Sequence, residues 1–363
     1  MRIEKLFPVC KDYLWGGNKL KEYYGKQTDL TPCAESWELS FHQDGQTLLA
    51  DGTRLSDKVT ATELGENVAE FSFFPVLIKF IDAAQNLSVQ VHPSDEYALK
   101  NENSLGKTEM WYIVEAQPGA GIYLGFNRDV SKEEYEKAIK ENRLTELLNF
   151  YEVKAGDCYF IPSGTIHAIG KGCLICEIQQ NSNLTYRVYD YGRKDKNGKE
   201  RELHVDKALA VTKLTKHENN SLNGDLLGVS KYFSVRKLCV KNERLETDEK
   251  TFQCLTCVKG FGQIENQPIR KGDSFFVPAN YGTYSITGDM ELIITEIRKY
   301  YIHVQTTPSQ AQGNIVDDTG RVLTQCALPL ENDISATVEA LSALLLNSVN
   351  MTKDDIAETI VNA

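Results

Sequence analysis

One short motif occurs twice in this chain of 363 residues, and it limits the possible folds more than any other feature. Residues 154–164 read KAGDCYFIPSG and residues 270–280 read RKGDSFFVPAN, so both copies share the pattern G-D-x-x-F-x-P. The Gly-Asp pair and the Pro followed by Gly or Asn are typical of turns, and the aromatic run between them is typical of a strand. A repeat over so long a distance predicts two copies of one β domain rather than a short-period solenoid.

Short apolar or alternating runs, broken by Gly, Pro and Asn, dominate residues 70–300. Strands are predicted at Val76–Ile81, Ser88–His92, Met110–Glu115, Asp157–Pro162, Leu174–Gln179, Phe275–Pro278 and Glu291–Ile297. Many short strands at such spacing are typical of a β-sandwich or a β-barrel. We therefore predict a mainly β fold.

One predicted helix interrupts the strands near residues 131–149. Ser131 and Glu134 have the spacing of a capping box, which favours a helix that begins just after Ser131. Its apolar stripe would consist of Tyr135, Ile139 and Leu147–Leu148. We expect this helix to cover a face of the β domain.

Charge and hydropathy exclude several classes of function. The net charge of −11 argues against nucleic acid or an anionic membrane surface as the main partner. The N-terminus lacks the apolar stretch of a signal peptide, and no segment approaches the length needed to span a bilayer. These features predict a cytoplasmic protein without a membrane or nucleic-acid partner. An anionic substrate would need a local basic pocket.

The nine cysteines follow no disulfide framework. In a reducing compartment we expect free and mostly buried thiols. Cys254 and Cys257 form a C-x-x-C pair inside an apolar, strand-like run. Residues three apart in a strand point to opposite faces, which disfavours joint metal binding or redox chemistry by this pair.

The two copies of the repeat differ in the residues that come directly after them. The first copy continues to His167, whereas the second has Thr283 at the corresponding position. We therefore expect a metal ligand in the first copy alone and a structural role for the second.

The first copy carries a recognisable metal-binding pattern. Its string Gly156-x5-Pro162-x-Gly164-x2-His167 resembles the second conserved motif of the cupin superfamily, whose small barrels hold a metal ion in their mouth. Upstream, Gln90 and His92 are two residues apart in a predicted strand, so both side chains project from the same face. Glu109 begins another predicted strand. The resemblance implies a site formed by Gln90, His92, Glu109 and His167.

Two imidazoles, one carboxylate and one amide oxygen suit zinc better than calcium or magnesium. We predict one Zn²⁺ per chain. With one anionic ligand the site would keep a net charge near +1, which preserves the ion as a Lewis acid for a sugar oxygen or a bound water.

Several longer strings resemble one cupin family. Gln90 in place of the usual first His is similar to the type I mannose-6-phosphate isomerases, and the short bacterial form is the most similar. The resemblance spans about residues 1–299 and rests on DYLWGG (12–17), ESWELS (35–40), LSVQVHP (87–93), GKTEMWYI (106–113), FIPSGTIHAIG (160–170) and CEIQQNSNLTYRVYDYGR (176–193). It implies a zinc-dependent isomerase that interconverts mannose 6-phosphate and fructose 6-phosphate through an enediolate.

The resemblance also implies a role for single residues. Gln90, His92, Glu109 and His167 match the zinc ligands of the family. Arg187 matches its active-site arginine, Ser88 and Lys107 match residues lining the phosphosugar pocket, Lys107 with a catalytic role, and Arg193 matches a residue proposed for phosphate contact. Glu177 corresponds to an acidic residue proposed for proton transfer. Its alternative role is a structural carboxylate paired with Arg187 or a nearby Lys.

Three departures from the family bear on the mechanism. Gly106 stands where longer enterobacterial members carry a His proposed to help open the sugar ring, and Asn183 stands where Asp is frequent. The large helical insertion of the long forms has no counterpart beyond the segment near 131–149. The identity of the base and of the ring-opening group therefore stays open, whereas the reaction class does not depend on these positions.

Residues after about 300 lie outside both repeats. Tyr301–Val304 and Asn314–Leu323 predict strands, with a hairpin at the D-T-G sequence, and a helix comes next with Ala340, Leu341, Leu344 and Leu345 on its apolar stripe. The pattern is similar to the opening of ROK-family sugar kinases. However, residues 305–309 (QTTPS) lack the acidic residue and the glycines of their phosphate loop, so kinase activity is not expected. A degenerate kinase-like fragment or a packing or oligomerisation appendage both fit.

The predicted architecture is two cupin barrels of the double-stranded β-helix (jelly-roll) type, with a small helical insertion and an α/β extension. A catalytic cupin domain is predicted at residues 1–215, a degenerate cupin domain at 216–299 and the extension at 300–363. A cupin dioxygenase with iron at the same ligands and a non-catalytic phosphosugar-binding regulator are the alternative functions. Lys107, Arg187 and Arg193 favour a phosphosugar as the small-molecule partner. The sequence does not fix the oligomeric state.

Overall fold

The computed structural model describes residues 1–194, 198–218, 222, 224–330 and 333–362. Strands dominate it, which confirms the prediction of a mainly β fold. None of the helices within those ranges is long and apolar enough to cross a membrane.

Up to residue 211, the described residues of the first region form fourteen strands and five α-helices. They are β1 (Glu4–Lys5), β2 (Val9–Lys11), α1 (Lys19–Glu22), β3 (Glu35–Leu39), β4 (Phe41–His42), β5 (Gly45–Gln46), α2 (Ala61–Leu64), β6 (Val76–Asp82), β7 (Val89–Val91), α3 (Asp95–Glu102), β8 (Glu109–Ala116), β9 (Gly121–Phe126), α4 (Lys132–Lys140), β10 (Leu148–Glu152), β11 (Cys158–Ile161), β12 (His167–Ile169), β13 (Cys173–Gln180), β14 (Tyr186–Tyr189) and α5 (Val205–Val211).

Two antiparallel sheets form the body of this first region. One has the strand order β11-β8-β13-β6-β3-β2 and the other the order β10-β9-β12-β7-β14. Apolar side chains of both sheets, among them Trp111, Ile122, Ile169 and Ile175, are buried together between them. The sheets do not close into the predicted barrel anywhere in the described residues, because the marginal strands β10 and β11 pair with β9 and β8 and not with each other.

The second region is built around long, bent strands. It contains β15 (Leu226–Ser230), β16 (Phe233–Thr247), β17 (Gln253–Ile264), β18 (Gln267–Arg270), β19 (Ser274–Val277) and β20 (Gly282–Glu296). They form one sheet of order β1-β19-β17-β20-β16-β15, with β18 paired to β17, so that β1 from the start of the chain is its edge. One face buries Leu255, Phe275 and Ile294 in a separate apolar core.

The opposite face of this sheet packs against the first region. Phe233, Phe252 and Phe276 of the second region share an apolar cluster with Phe80 and Met110 on the outer face of the six-stranded sheet. The two regions therefore bury a continuous core between their sheets. The predicted boundaries at residues 215 and 299 stay predictions.

The internal repeat has the same backbone in both copies. Gly156 and Gly272 adopt φ values of +96° and +93°, which glycine reaches without strain. The aspartate after each glycine accepts a hydrogen bond from the backbone N–H three residues earlier, at 2.9 Å for Asp157 and 3.1 Å for Asp273. The motif therefore specifies one turn and one following strand, β11 or β19, in each region.

The predicted helix begins as expected and ends early. Ser131 Oγ accepts a hydrogen bond from the backbone N–H of Glu134 at 3.2 Å, which confirms the N-cap. The helix α4 ends at Lys140, so the prediction that Leu147–Leu148 belong to its stripe was wrong. These leucines lie in a 3₁₀ turn and at the start of β10, although they join Tyr135 and other side chains of α4 in one apolar cluster.

All nine cysteines are free. Cys254 contacts the core between the two regions, whereas Cys257 belongs to the inner core of the second region. The two thiols therefore point to opposite faces of β17, as predicted.

The extension forms a small α/β unit. It comprises β21 (Tyr300–Thr306), β22 (Gln310–Asp317), β23 (Val322–Pro329), α6 (Ile334–Ser348) and β24 (Glu358–Asn362), with sheet order β23-β22-β21-β24 and β24 parallel to β21. The predicted hairpin at the D-T-G sequence joins β22 to β23.

The apolar stripe of α6 differs in part from the prediction. Leu341 and Leu345 are buried as expected, but Leu344 and Ala340 are exposed. Leu346 is buried instead, because the face directed at the sheet is rotated by about one position and includes Ser342 next to Leu341. The kinase-like ancestry of the extension stays a prediction.

Candidate metal centre

Three side chains converge between the two sheets of the first region. His92 follows β7, Glu109 begins β8 and His167 begins β12, and each is at most 1% exposed. Glu109 Oε2 lies 3.5 Å from His92 Nε2, and Glu109 Oε1 lies 3.3 Å from His167 Nε2. The three ligand atoms all lie within 4.8 Å of one another, so a single metal ion could contact all of them.

Hydrogen bonds fix which imidazole nitrogen faces this point. His92 Nδ1 lies 2.9 Å from the carbonyl oxygen of Leu184, and His167 Nδ1 lies 2.8 Å from that of Thr165. A carbonyl oxygen accepts but cannot donate, so each Nδ1 carries the proton and each Nε2 keeps its lone pair. Burial lowers the pKa of both histidines, that of His167 to about 4, so both imidazoles are neutral at neutral pH.

Glu109 is the carboxyl member of the group. Burial raises its pKa to about 7, although Lys107 opposes this rise. Lys107 Nζ lies 2.8 Å from Glu109 Oε2 and 3.2 Å from His92 Nε2. A cation at this point would therefore compete with a proton on the carboxyl group and with the ammonium group of Lys107.

Gln90 lies beside the three groups, at the place predicted for a fourth ligand. It is paired with His167 across β7 and β12, and its Nε2 lies 3.3 Å from His167 Nε2. The nitrogen and oxygen of an amide exchange places by a half-turn of the group. That half-turn would present Oε1, an atom that cations accept as a ligand.

Glu177 is held by partners other than Arg187. Trp111 Nε1 donates to Glu177 Oε1 at 2.9 Å, and Lys79 Nζ lies 3.5 Å from Oε2. Burial alone would raise the pKa of Glu177, but Lys107 and Lys79 outweigh it and leave the pKa below its usual value. The carboxylate is thus ionised and paired with a lysine, which was the alternative to a purely catalytic role.

Five charged side chains are buried around the centre. They comprise three carboxylates and two ammonium groups, namely Glu35, Lys79, Lys107, Glu109 and Glu177. Their formal sum is negative, and buried charge without compensation is costly. A divalent cation would turn this excess into a modest positive charge, which suits an anionic substrate.

A second set of basic groups adjoins the centre. Arg187 on β14 pairs with Gln90 across the sheet, and its Nε lies 3.3 Å from Ser88 Oγ, to which it donates. Its Nη1 donates to the carbonyl oxygen of Glu202 at 3.1 Å. Burial lowers the pKa of Arg187, and the positive charge of Arg201 adds to this effect.

Arg193 and Arg201 share one carboxylate. Both contact Asp190, and Arg201 Nε donates to Asp190 Oδ2 at 2.7 Å. Arg193 Nη1 also donates to the carbonyl oxygen of Asn86. Arg193 was predicted from the sequence and Arg201 was missed, because a lone Arg in a charged stretch carries no local signal. Among the residues that the structure describes, three guanidinium groups therefore lie at this edge, and two of them share the carboxylate of Asp190.

The departures from the family motif also have a structural setting. A Cβ on Gly106 would lie 2.5 Å from the backbone nitrogen of Asp95, so this position cannot hold a larger side chain without a backbone shift. Asn183 is exposed, and its Nδ2 donates to Asp44 Oδ2 at 3.2 Å. Neither position supplies a group to the centre.

Two family models match the chain. The phosphomannose isomerase type I catalytic domain matches residues 3–122, and the mannose-6-phosphate isomerase cupin domain matches residues 225–297. A mannose-6-phosphate isomerase of Bacillus subtilis is 39% identical over 319 residues, which cover 82% of this chain and 100% of that protein. One from Streptococcus mutans is 37% identical and covers 77% of this chain and 93% of its own length.

Solved structures give the same result. The crystal structure of mannose 6-phosphate isomerase from Bacillus subtilis has a TM-score of 0.74 and 33% identity, and the match covers 81% of this chain and 99% of that one. The crystal structure of a mutant of phosphomannose isomerase from Salmonella typhimurium has a TM-score of 0.67 at 18% identity, which supports the fold alone. Together with the full-length match to a relative at 39% identity, these findings show that the chain belongs to the type I mannose-6-phosphate isomerase family of enzymes.

Proposed function

We propose that the protein is a zinc-dependent isomerase that interconverts mannose 6-phosphate and fructose 6-phosphate through an enediolate. The observation that carries the proposal is the convergence of two neutral imidazoles and one carboxylate next to a cluster of guanidinium groups. The sugar substrate is inferred from the relatives, which are mannose-6-phosphate isomerases. The groups of the site suit a phosphosugar for the reasons that follow.

The donor set favours zinc. His92 Nε2, His167 Nε2, a Glu109 oxygen and the amide oxygen of Gln90 would hold the ion, and nitrogen ligands combined with one carboxylate are typical of zinc sites. A bound zinc ion supplies a Lewis acid that polarises the sugar oxygens. The hydrogen bonds on both Nδ1 atoms keep the imidazoles in the required orientation.

Isomerisation moves a proton between adjacent carbons. Glu177 is our candidate for this transfer, because it is ionised and Trp111 and Lys79 hold its two oxygens in place. Lys107, which already contacts Glu109 and His92, is placed to donate to a sugar oxygen during ring opening or enediolate formation. Arg187 would stabilise negative charge that develops on the same oxygens.

The arginine cluster is our candidate phosphate subsite. Among the described residues of this edge, Arg187, Arg193 and Arg201 outnumber the carboxylate of Asp190 that two of them share, in a chain whose net charge is −11. Guanidinium groups bind phosphate oxygens in pairs. Ser88, which accepts a hydrogen bond from Arg187, would line the same pocket. Phosphate binding at this edge would hold the open-chain sugar against the centre.

A coupled isomerase assay on the purified protein tests the proposal. We expect turnover of mannose 6-phosphate that is lost on chelation and restored by one equivalent of zinc. Turnover that survives chelation would contradict the metal dependence, and turnover that requires oxygen would favour an iron dioxygenase. If the protein binds the phosphosugar without converting it, the regulator is the better explanation.

The substitution Arg187→Ala tests whether turnover can be lost while zinc binding is kept. Arg187→Ala should lower kcat/KM by roughly a hundredfold, because it removes a charge next to the reacting oxygens, while zinc content stays at one per chain. Arg128→Ala, which breaks an exposed ion pair with Glu134, is the matched control and should leave turnover unchanged. Equal turnover in both variants would contradict a catalytic Arg187.

A further inference from the structure

Asp95, the first residue of α3, connects two chain segments that flank the metal centre. Its Oδ1 accepts hydrogen bonds from the backbone N–H of Gly106 at 2.8 Å and from Gln180 Nε2 at 2.9 Å. Gln180 Oε1 in turn accepts from the backbone N–H of Thr108 at 2.7 Å. Asp95 therefore holds the residues on both sides of Lys107, one directly and one through Gln180.

The two segments also touch through their backbones. The N–H of Lys107 donates to the carbonyl oxygen of Pro93 at 3.0 Å. Gly106 passes so close to the start of α3 that a Cβ there would lie 2.5 Å from the nitrogen of Asp95. Because Pro93 directly follows one histidine of the centre, a shift of Asp95 against Gly106 changes the distance between that histidine and the carboxylate two residues after Lys107.

The second oxygen of Asp95 reaches the second region of the chain. Tyr232, in the loop between β15 and β16, donates its hydroxyl hydrogen to Asp95 Oδ2. Burial raises the pKa of Tyr232, and the bond to Asp95 raises it further, so the hydroxyl stays a donor. The backbone N–H of Tyr232 donates to Ser230 Oγ at 3.2 Å, which holds the loop in place.

The extension holds the same loop from its other side. Asp355 Oδ1 accepts a hydrogen bond from the backbone N–H of Lys231 at 2.8 Å, and Asp355 Oδ2 accepts from the backbone N–H of Thr352 at 2.8 Å. The ammonium group of Lys231 lies 5.0 Å from the centre of the Tyr232 ring. Contacts therefore run without interruption from the extension to Tyr232, then to Asp95 and the segment that carries Lys107 and Glu109.

We propose that Asp95 is a positioning residue for the metal centre, and that Tyr232 and Asp355 make the second region and the extension part of its support. The inference rests on the proposed function, because it assigns these contacts to the site where zinc would bind. Residues that orient metal ligands typically change metal affinity by about 10- to 100-fold when they are removed. The family models end at residue 297, so the contribution of Asp355 lies outside the part of the chain that they match.

Zinc affinity and turnover test Asp95 and Tyr232 together. Asp95→Ala should weaken zinc binding by about 10- to 100-fold, and Tyr232→Phe, which keeps the ring, by a smaller factor. Both should lower kcat more than they raise KM, because Lys107 and Glu109 act at the reacting centre whereas the arginine cluster is untouched. Competition with a chromophoric chelator measures the affinity even if the protein turns over no sugar, so failure of the proposed function is visible separately.

Tyr24→Phe is the matched control. Tyr24 also donates to a carboxylate, Glu115 Oε1 at 2.7 Å, but that contact does not lead to the centre. We expect a similar loss in melting temperature for Tyr24→Phe and Tyr232→Phe, with zinc affinity and kcat reduced in Tyr232→Phe alone. Zinc affinity and kcat that stay at the wild-type level in Tyr232→Phe would overturn the proposal, even if Asp95→Ala fails to fold.

A double-mutant cycle tests the extension. Asp355→Ala should lower zinc affinity by a few-fold, and the loss in the double variant with Tyr232→Phe should be smaller than the product of the single losses, because both act through one loop. Asp354→Ala, at the exposed neighbouring position, should leave zinc affinity unchanged. Independent, multiplicative losses would overturn the link through Asp355.

Discussion

The two β regions use the same turn before equivalent strands, β11 and β19, but bury different side chains beside it. In the first region, the residue before the proline of the repeat pairs with Glu109, and the residue two positions earlier pairs with Trp111. In the second region the corresponding partners are Gln253 and Leu255. The repeat thus gives each region an equivalent pair of positions, and in the first region these are a carboxylate of the candidate metal centre and a hydrogen-bond donor to Glu177.

The next strand of each sheet extends the comparison. Glu177 lies opposite Trp111 in the first region, whereas Ile294 lies opposite Leu255 in the second. His167 is fully buried, but Thr283 at the corresponding motif position is exposed. The turn and the strands therefore do not require the charged groups. A few substitutions separate a centre with buried charge from an apolar core that contributes stability.

The largest effect should come from replacing Glu109 of the first region by glutamine, the residue type that Gln253 places at the corresponding position of the second region. Glu109→Gln removes the charge of the proposed anionic ligand and leaves Lys107 without its closest carboxylate. We expect zinc content to fall well below one per chain and kcat/KM to fall about a thousandfold, which corresponds to about 4 kcal/mol of metal-assisted stabilisation. Metal analysis and the coupled isomerase assay on the same preparation measure both quantities.

The reciprocal change is the control. Gln253 is buried, donates to Glu296 Oε1 and accepts from the hydroxyl of Tyr284. Gln253→Glu would bury a second carboxylate next to Glu296 and should cost roughly 3 kcal/mol of unfolding free energy, with zinc content still at one per chain. If this variant bound a second zinc ion, the distinction between the two regions would fail.

A smaller effect is expected at the position where Glu177 and Ile294 correspond. Glu177→Gln keeps the size of the side chain and its hydrogen bond from Trp111 but removes its charge. We expect kcat to fall by roughly a hundredfold with zinc retained, since proton transfer by a positioned group contributes at least that much. Because Lys79 also lies 3.7 Å from Glu35, it keeps a counterion and the fold should persist.

The outcome separates the two roles left open for Glu177. If Glu177→Gln turns over sugar at the wild-type rate, the carboxylate serves as a partner of Lys79 and the base lies elsewhere. Lys107→Met then becomes the informative variant, because Lys107 is the other titratable group proposed to act at the substrate.

Local patterns explain why so much of the fold could be predicted. The turn at Gly156 and Gly272 and the cap at Ser131 depend on residues within a few positions of one another, and the sequence displays them directly. The convergence of His92, Glu109 and His167 was predictable because the family motifs link distant segments. The end of α4 was not, since the apolar pattern continues past Lys140 into the 3₁₀ turn and β10, which pack in the same cluster.

Contacts without a local pattern could not be assigned to particular residues, although a nearby Lys had been left open as a partner of Glu177. The pairing of Lys79 with Glu177 and of Trp111 with the same carboxylate depends on which strands become neighbours, and no spacing rule in the sequence reveals it. The same holds for Tyr232 and Asp95, which are brought together by the packing of the two regions. The predicted closed barrel failed for the same reason, because the edge strands β10 and β11 pair only with β9 and β8 and leave the two sheets open among the described residues.

The smallest effects should distinguish the two copies of the turn itself. Gly156 and Gly272 have nearly the same φ, so alanine at either position costs about 1–2 kcal/mol of unfolding free energy from the backbone alone. A Cβ on Gly156 meets no atom within 4 Å, whereas one on Gly272 would lie 2.3 Å from the carbonyl oxygen of Tyr24. We therefore expect Gly156→Ala to cost only the backbone term and Gly272→Ala roughly 1–3 kcal/mol more, because the backbone at Tyr24 must move.

Urea unfolding of both variants measures the difference, and zinc content should stay at one per chain in each because neither glycine contacts the centre. Gly52→Ala is a suitable reference. Gly52 lies in an exposed turn with a φ of +81°, and a Cβ added to it would meet no atom within 4 Å. Its cost should match that of Gly156→Ala. Equal costs at all three positions would mean that the chain at Tyr24 relaxes freely, and that the contact between the second copy of the turn and the first region adds nothing to stability.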